Sequence, residues 1–256
     1  MRSFAFAVAY WILCVVYAVA GAIAALVPGR GPLTFVLRLY TRRMLWALHW
    51  IGGIKVDVEG KARLPEGAFI VAAKHHSWGD GFVMFAHVPN LAFVTNNGLE
   101  RMPLLKGILR KFGAIVVDNC GGPEARRALT ESAARANAEG RRILIYPEGN
   151  LAKAGEHFRY RTGVFHMYRD FGVAVVPVAT NLGVFWPQEE FRKRPGRATV
   201  EFLDLIPPGL DRGEFLARLE AAIETRSQEL IAAATGEPVR PSVLVPTPDE
   251  LARAAA

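Results

Sequence analysis

A short apolar run that ends in a polar turn is the most informative stretch of the chain: residues 68–80 read AFIVAAKHHSWGD. Its first six residues include β-branched side chains and no polar one, which is typical of a buried strand. The polar turn that follows contains His75 and Asp80. Because α/β sheets bind ligands at the carboxyl ends of their strands, we expect an imidazole and a carboxylate to face a ligand there.

Four residues separate His75 from Asp80, which is enough for a tight turn that brings the carboxylate onto the ring. An Asp that accepts from one ring nitrogen fixes the tautomer and leaves the other nitrogen basic. Because the sequence has no G-x-S-x-G elbow, the simplest use of such a base is to activate the hydroxyl of a substrate. A histidine near a strand is more often structural, so the pair alone leaves both interpretations open.

Strands alternate with helices along the rest of the chain. Apolar or alternating runs predict further strands at residues 54–58, 91–95, 113–118, 142–146, 173–178 and 199–205. Helical patterns occupy residues 79–87, 101–112, 123–140 and 163–171, and a last helix begins at an Asp211 cap. This order predicts an α/β domain over 53–235, with a mostly parallel central sheet flanked by helices, and four prolines predict a loose tail over 236–256.

The amino-terminal region predicts a membrane-embedded helical pair over residues 1–52. Residues 4–27 are almost wholly apolar and long enough to span a hydrocarbon core, with a cleaved signal peptide as the alternative. Residues 33–51 are amphipathic, with Thr41 on the polar face and Trp50 on the apolar face. Their basic and aromatic residues favour a helix in the bilayer interface, and a core helix of the soluble domain is the alternative.

Charge supports a membrane rather than nucleic acid as the partner. A net charge of +7 suits either, but the chain combines a long apolar segment with no nucleic-acid motif. More arginines follow the first helix than precede it, which predicts a cytoplasmic (inner) membrane location with the catalytic domain facing the cytoplasm. The two distant cysteines fit a reducing compartment, and the absence of C-x-x-C and H-E-x-x-H patterns indicates no metal site.

Two further polar clusters follow predicted strands. One contains Asp118 and Asn119, and the other contains Glu148 and Gly149. A carboxylate beside a glycine turn can accept from a polyol hydroxyl, and nearby cations can hold an anionic head group. The alternative is a solvated loop carboxylate followed by a solvated charge run. The cations that follow the second cluster are Lys153, Arg159 and Arg161.

Taken in order, these blocks resemble the glycerolipid acyltransferases typified by 1-acylglycerol-3-phosphate acyltransferase. The H-x4-D box of that family matches residues 75–80, and its glycine-led strand with a final acidic residue matches 113–118. Its Pro-Glu-Gly block matches 147–149, a basic-x-Gly-Val element matches 161–164, and its last block matches 176–181. The resemblance covers roughly residues 56–231, and the family has a membrane-embedded helical pair before this domain.

The resemblance implies a mechanism. His75, oriented by Asp80, would act as general base on a lysolipid hydroxyl that attacks the thioester of acyl-CoA or acyl-carrier protein. These donors are substrates, and no cofactor is implied. Acceptor head-group binding would fall to Glu148 and Gly149, and binding in the acyl region to Pro177.

The chain departs from the family pattern at two arginines that are thought to hold the acceptor phosphate. Asn119 stands at one position, and Asn150-Leu151 stands where the family has Thr-Arg. Because neither Asn nor Leu replaces an arginine fork, either the three cations after Gly149 supply the charge or the acceptor is not lysophosphatidic acid. From the resemblance as a whole we predict a membrane-bound O-acyltransferase for 1-acylglycerol-3-phosphate. The alternatives are an acyltransferase for another lysolipid such as lyso-ornithine lipid, a lipid hydrolase or transacylase (disfavoured without a serine elbow), or a catalytically idle membrane adaptor.

Overall fold

The computed structural model describes residues 1–117, 123–248 and 250–251. Its helices are α1 (Arg2–Leu26), α2 (Gly31–Trp50), α3 (Asp80–His87), α4 (Pro103–Phe112), α5 (Pro123–Ala138), α6 (Gly163–Phe171), α7 (Leu182–Phe185) and α8 (Arg212–Thr235). Its strands are β1 (Ile54–Glu59), β2 (Ile70–Ala73), β3 (Leu91–Asn96), β4 (Ile115–Val117), β5 (Arg142–Ile145), β6 (Glu156–His157), β7 (Val175–Thr180), β8 (Gly196–Phe202) and β9 (Val243–Leu244).

Contacts group the described residues into two compact units. The first unit contains residues of Met1–Gly53, Glu66–Phe69 and Gly81–Leu144, and the second contains Ile54–Pro65, Ile70–Asp80 and the described residues from Ile145 onward. The predicted division into 1–52, 53–235 and 236–256 stays a prediction.

The fold is α/β with a mostly parallel sheet flanked by helices, as the sequence predicts. In the second unit the strand order is β1-β8-β7-β2, with β1 parallel to β8, β2 parallel to β7, and β7 antiparallel to β8. In the first unit β3 pairs in parallel with both β4 and β5. All six residues of β7 are buried: the strand is central in the sheet, between β8 and β2, and α8 packs on it.

Most predicted elements begin and end within three residues of the observed ones. Helix α6 matches at both ends, and the predicted cap of α8 is present, since Asp211 Oδ1 accepts from the Glu214 N–H at 2.9 Å. Near the start of α8, Phe215 faces inward and is fully buried, whereas its neighbour Leu216 is half-buried. The predicted site residues Asp118 and Asn119 lie outside the described residues.

Among the described residues, one helix, α1, is long and apolar enough to cross a membrane, with 25 residues and a mean hydropathy of 2.2. Several of its large side chains are exposed, including Trp11 at 66% and Val15 at 62%, whereas Phe6 is buried. Its opposite side packs within the first unit, where a Cβ on Gly21 would lie 3.1 Å from Ile108 Cδ1. The helix therefore has one face that packs on protein and a larger apolar face that does not.

Helix α2 packs against α1 and α4 within the first unit. Two side chains of α2 differ from the predicted faces. Thr41, predicted on the polar face, is buried, and its hydroxyl donates to the Arg38 carbonyl at 3.0 Å, so its polar group is satisfied within the helix. Trp50, predicted on the apolar face, is 68% exposed at the end of the helix.

The carboxyl-terminal tail, expected to be loose, forms one short strand pairing within the second unit. Strand β9 pairs in parallel with β6. The Val243 N–H donates to the Gly155 carbonyl and the Val245 N–H donates to the His157 carbonyl, both at 2.9 Å. Because the side chains of β9 are exposed, backbone hydrogen bonds rather than apolar burial hold this part of the tail.

Candidate active site

The turn after β2 is held by the carboxylate of Asp80. Its Oδ2 accepts from the backbone N–H groups of His76 and Ser77, each at 2.8 Å, and lies 3.1 Å from His75 Nδ1. The Asp80 N–H donates in turn to the Ser77 carbonyl at 3.2 Å. The four-residue spacing therefore matches a tight turn in which one buried carboxylate binds three donors.

The imidazole of His75 is fixed on one edge and one face. A carboxylate accepts only, so Nδ1 carries the proton toward Asp80 and Nε2 is the basic nitrogen. The ring stacks on Tyr146, with 3.8 Å between ring centroids and 13° between ring planes. Its side chain is 17% exposed, and its carbonyl accepts from the Ala152 N–H at 2.9 Å. A single basic nitrogen in a fixed orientation is what a general base needs.

Two neighbours of His75 are unsuited to the role of base at neutral pH. Burial, followed by the nearby charge of Lys74, holds the pKa of His76 well below its usual range, so this ring is neutral. The hydroxyl of Tyr146 is buried, and its pKa is raised well above its usual range, by burial first and then by the charge of Asp80. It therefore stays protonated, and the chemistry falls to His75.

Glu148 lies in the interior, whereas the sequence led us to expect a carboxylate that faces an acceptor hydroxyl. Its side chain is fully buried. Oε2 accepts from the Phe158 N–H at 2.9 Å, and Oε1 lies 3.1 Å from Lys74 Nζ. Burial raises the pKa of Glu148 to about 7; the ammonium of Lys74 opposes this rise and the carboxylate of Glu224 adds to it. The predicted role of Glu148 in head-group binding stays a prediction.

Sequence reasoning missed two charged residues beside Glu148. The side chain of Lys74 is fully buried, and its Nζ lies 2.8 and 3.0 Å from the two carboxylate oxygens of Glu224 and 3.0 Å from the Glu156 carbonyl. Glu224 also accepts from the Tyr160 hydroxyl at 2.8 Å. A signal existed for Lys74, because a lysine directly after a buried strand needs a partner. The sequence near it gave no sign that the partner would come from α8.

Gly149 and Arg161 lie against each other at the turn after β5. Gly149 has a φ of +71°, and a Cβ on it would lie 2.6 Å from Arg161 Nε. The Arg161 N–H donates to the Pro147 carbonyl at 2.8 Å. Glycine therefore serves both the left-handed backbone and the close approach of the guanidinium. Arg161 is exposed, so its charge is open to an anionic ligand.

The remaining predicted binding residues occupy different environments. Lys153 is exposed and pairs with Glu189, with 3.0 Å between Nζ and Oε2, and an exposed pair of this kind adds little stability. Arg159 is also exposed. Pro177 is buried in β7, where its carbonyl accepts from the Leu203 N–H at 2.9 Å. The substrate-binding roles of all three stay predictions.

The chain is similar to acyltransferases in both sequence and structure. Residues 55–181 match the family model described as Acyltransferase. A 1-acyl-sn-glycerol-3-phosphate acyltransferase of Pseudomonas aeruginosa is 25% identical over 228 residues, which are 88% of this chain and 87% of the relative. A lyso-ornithine lipid O-acyltransferase of the same bacterium is 26% identical over 197 residues, which are 70% of this chain and 75% of the relative.

Among solved structures, the crystal structure of PlsC, the 1-acyl-sn-glycerophosphate acyltransferase of Thermotoga maritima, has the same fold. The TM-score is 0.74, and the match covers 91% of this chain and 98% of that one. At 20% identity, this likeness speaks for the fold alone.

Proposed function

The chain belongs to the glycerolipid acyltransferase family, and we propose that it transfers a fatty acyl group from acyl-CoA or acyl-carrier protein to 1-acylglycerol-3-phosphate at a membrane. The observation that carries this proposal is the His75 ring, held by Asp80 at Nδ1 and by Tyr146 on its face. This arrangement leaves Nε2 available to an alcohol. The acceptor, the donor and the membrane are proposals that go beyond family membership.

His75 alone can serve as both proton acceptor and proton donor in the transfer. Nε2 of His75 takes the proton of the acceptor hydroxyl as the oxygen attacks the thioester carbonyl carbon. Asp80 stabilises the imidazolium that forms. When the C–S bond breaks, the leaving thiolate takes the proton from His75, which returns the base to its neutral form. The acyl group passes directly to the acceptor oxygen, with no acyl-enzyme.

Two acceptors compete on specific observations. Arg161, exposed beside Gly149, and the P. aeruginosa relative with its named lysophosphatidic acid activity favour an acceptor that carries a phosphate. Asn150 and Leu151, which stand where the family has Thr-Arg, favour the second candidate, a lyso-ornithine lipid. The lyso-ornithine relative is similar to this chain at nearly the same identity.

Release of free thiol from purified protein in detergent tests the function. Acyl-CoA and acyl-carrier protein are each supplied with lysophosphatidic acid, with lyso-ornithine lipid, or with no acceptor. We expect release that depends on lysophosphatidic acid and is lost in His75→Ala. Release with lyso-ornithine lipid alone would establish the second candidate, and release without acceptor would indicate a hydrolase. Silence with both donors would contradict an active transferase.

The phosphate preference has a matched test in two cations. Arg161→Gln should raise the KM for lysophosphatidic acid about tenfold or more, because a charge-assisted contact is lost. Lys153→Gln should change it less, since Lys153 already pairs with Glu189 at the surface. Equal KM values for the wild type and Arg161→Gln would contradict the placement of the phosphate beside Gly149.

We further propose that α1 anchors the chain in the cytoplasmic membrane, with the catalytic domain facing the cytoplasm. Deleting the helix would expose the residues packed under it, so substitutions on its outward face are the better test. The double variant Trp11→Glu/Val15→Glu should increase the fraction of protein that remains soluble after membranes are sedimented. Leu205→Glu, at an exposed apolar residue of the second unit, is the control and should not. An unchanged soluble fraction would contradict the anchor.

A further inference from the structure

A buried group of charges lies behind the turn that carries His75. We call Lys74, Glu148, Glu224 and Tyr160 the Lys74 cluster. The side chains of Lys74 and Glu148 are fully buried and that of Glu224 is 9% exposed. Charges this deep are retained only when they are paired, because removing an ion from water is costly. The cluster therefore needs an explanation beyond stability.

The Lys74 cluster joins three segments that are distant in the sequence. Lys74 follows β2 and directly precedes His75, Glu148 belongs to the turn after β5, and Glu224 lies in α8. The Lys74 ammonium donates to Glu224 at 2.8 Å and to the Glu156 carbonyl at 3.0 Å, and it lies 3.1 Å from Glu148 Oε1 as an ion pair. One ammonium thus ties the residue before His75 to the turn at Glu148 and to α8.

We propose that Glu224 is a positioning residue for acyl transfer: through Lys74 it holds the backbone before His75 and the turn at Glu148 in one arrangement. This inference rests on the proposed function of His75 as the base. Glu224 touches neither the pair of His75 and Asp80 nor Tyr146 by any described hydrogen bond, so it acts through Lys74.

Charge balance in the cluster supports the role. One ammonium faces two carboxylates, so the cluster has one carboxylate in excess. Glu224 receives Lys74 on both of its oxygens and the hydroxyl of Tyr160. Glu148 receives the Phe158 N–H and shares Lys74. Burial raises the pKa of Glu148 to about 7 and the carboxylate of Glu224 adds to this rise, so Glu148 is a carboxyl group of the cluster that binds a proton near neutral pH.

The groups that face Glu148 define what a change at Glu224 should do. They are Lys74 after β2, Glu224 on α8 and the hydroxyl of Tyr160, while Glu220 of α8 faces His157 of β6 instead, with 3.5 Å between Oε1 and Nε2. In Glu224→Gln the repulsion on Glu148 disappears and Lys74 has one carboxylate to neutralise. The pKa of Glu148 should therefore fall.

Steady-state kinetics of Glu224→Gln provide the first readout. The amide keeps the size of the side chain and can still accept from Tyr160, but it no longer holds the ammonium of Lys74 as an ion. We expect kcat to fall about 10- to 100-fold, because a small displacement of His75 misaligns proton transfer, with the KM for the donor within about twofold of wild type. The control is Glu229→Gln on the same helix, where the glutamate side chain is 43% exposed and paired with Arg226, and it should match the wild type.

Infrared spectroscopy of the same proteins provides a readout that does not depend on activity. A protonated carboxylic acid has a carbonyl band that the carboxylate lacks. We expect such a band to titrate near pH 7 in the wild type, to be absent in Glu148→Gln, and to shift to lower pH by about one unit or more in Glu224→Gln. Because this titration needs no substrate, it separates a failure of this inference from a failure of the proposed function.

Two results would overturn the inference. One is a wild-type kcat in folded Glu224→Gln, and the other is a carbonyl band that titrates at the same pH in both proteins. If Glu224→Gln does not fold, Tyr160→Phe decides the question, since it removes one donor to Glu224 without changing the charge. We expect Tyr160→Phe to lower kcat by about two- to fivefold, and an unchanged kcat there would overturn the inference equally.

Discussion

His75 and Lys74 are adjacent in the sequence, yet they belong to two differently built regions of the second unit. The imidazole of His75 is partly exposed and bound by one carboxylate, whereas the ammonium of Lys74 is fully buried and bound by two. Both residues follow β2 directly, but the Lys74 side chain is fully buried whereas the His75 side chain is 17% exposed. The difference shows that exposure separates the two roles. The partly exposed imidazole of His75 is the proposed base, and the buried charges around Lys74 are proposed to hold the backbone next to it.

The largest effect should come from removing the imidazole. His75→Ala should lower kcat by about 10²- to 10⁴-fold, the usual contribution of a general base, and should leave the free energy of unfolding close to that of the wild type. Thiol release and thermal denaturation measure the two quantities. His166→Ala is the matched control, because His166 is exposed on α6. Activity retained in His75→Ala would show that His75 is not the base, and the contrast between a reactive His75 and a supporting Lys74 would then be wrong.

Asp80→Asn should lower both activity and stability, since Asp80 has a role in each. The amide oxygen can replace Oδ2 only as a neutral and weaker acceptor, and if the NH₂ takes that place instead it faces all three donors and donates to His75 Nδ1. We expect about a 10²-fold loss of kcat, from the wrong tautomer of His75, and a loss of about 1.5–3 kcal/mol of stability from a charged hydrogen bond. Wild-type kcat with reduced stability would show that Asp80 only holds the turn.

The pair of His75 and Asp80 could be predicted from the sequence because all of its determinants are local. A buried strand, a five-residue offset and a tight turn fix the geometry, and the structure places the two side chains 3.1 Å apart. The fold class was predictable for a related reason, since each strand and helix carries its own periodicity. Glycine 149 was also recognisable as the residue of a turn, although the approach of Arg161 was not.

The Lys74 cluster could not be predicted, because its pairing is set by the packing of α8. Glu224 follows 150 positions after Lys74, and one-dimensional patterns do not identify which buried carboxylate reaches which ammonium. The same limit explains Glu148, which reads as a loop carboxylate but is fully buried. Thr41 in the first unit is another example of this limit, because its hydroxyl was expected on the polar face of α2 but is buried and donates to a carbonyl of its own helix.

Glu148→Gln should change how stability depends on pH. A carboxyl whose pKa rises from 4.5 in the unfolded chain to about 7 in the folded protein favours folding most below pH 4.5, and this contribution is lost as pH rises to 7. Glutamine resembles the protonated acid and does not titrate. The stability of the wild type relative to Glu148→Gln should therefore fall by up to about 3 kcal/mol between pH 4.5 and 7.

Urea denaturation of both proteins across this pH range measures that difference, and any titration of His76 cancels because both proteins contain it. A difference that stays constant with pH would show that Glu148 binds protons equally in the folded protein and in the unfolded chain. Burial in the Lys74 cluster would then not affect this carboxyl group, which would contradict the contrast drawn between the buried cluster and the exposed imidazole.

The smallest effect should come from the phenol hydroxyl of Tyr146, whose ring touches the exposed region while its oxygen belongs to the interior. The hydroxyl is fully buried, and the described residues offer it no hydrogen-bond partner. Tyr146→Phe keeps the ring that stacks on His75 and removes a buried polar group, so kcat should stay within about twofold and stability should be equal or slightly higher.

Tyr146→Ala, in contrast, removes the ring itself and should lower kcat more than Tyr146→Phe does, because the imidazole loses the surface that orients it. Kinetics and thermal denaturation of the two variants therefore separate stacking from hydrogen bonding. A large loss of kcat in Tyr146→Phe would mean that the hydroxyl reaches the reacting atoms. The hydroxyl of Tyr146 would then belong to the reactive region and not to the buried one.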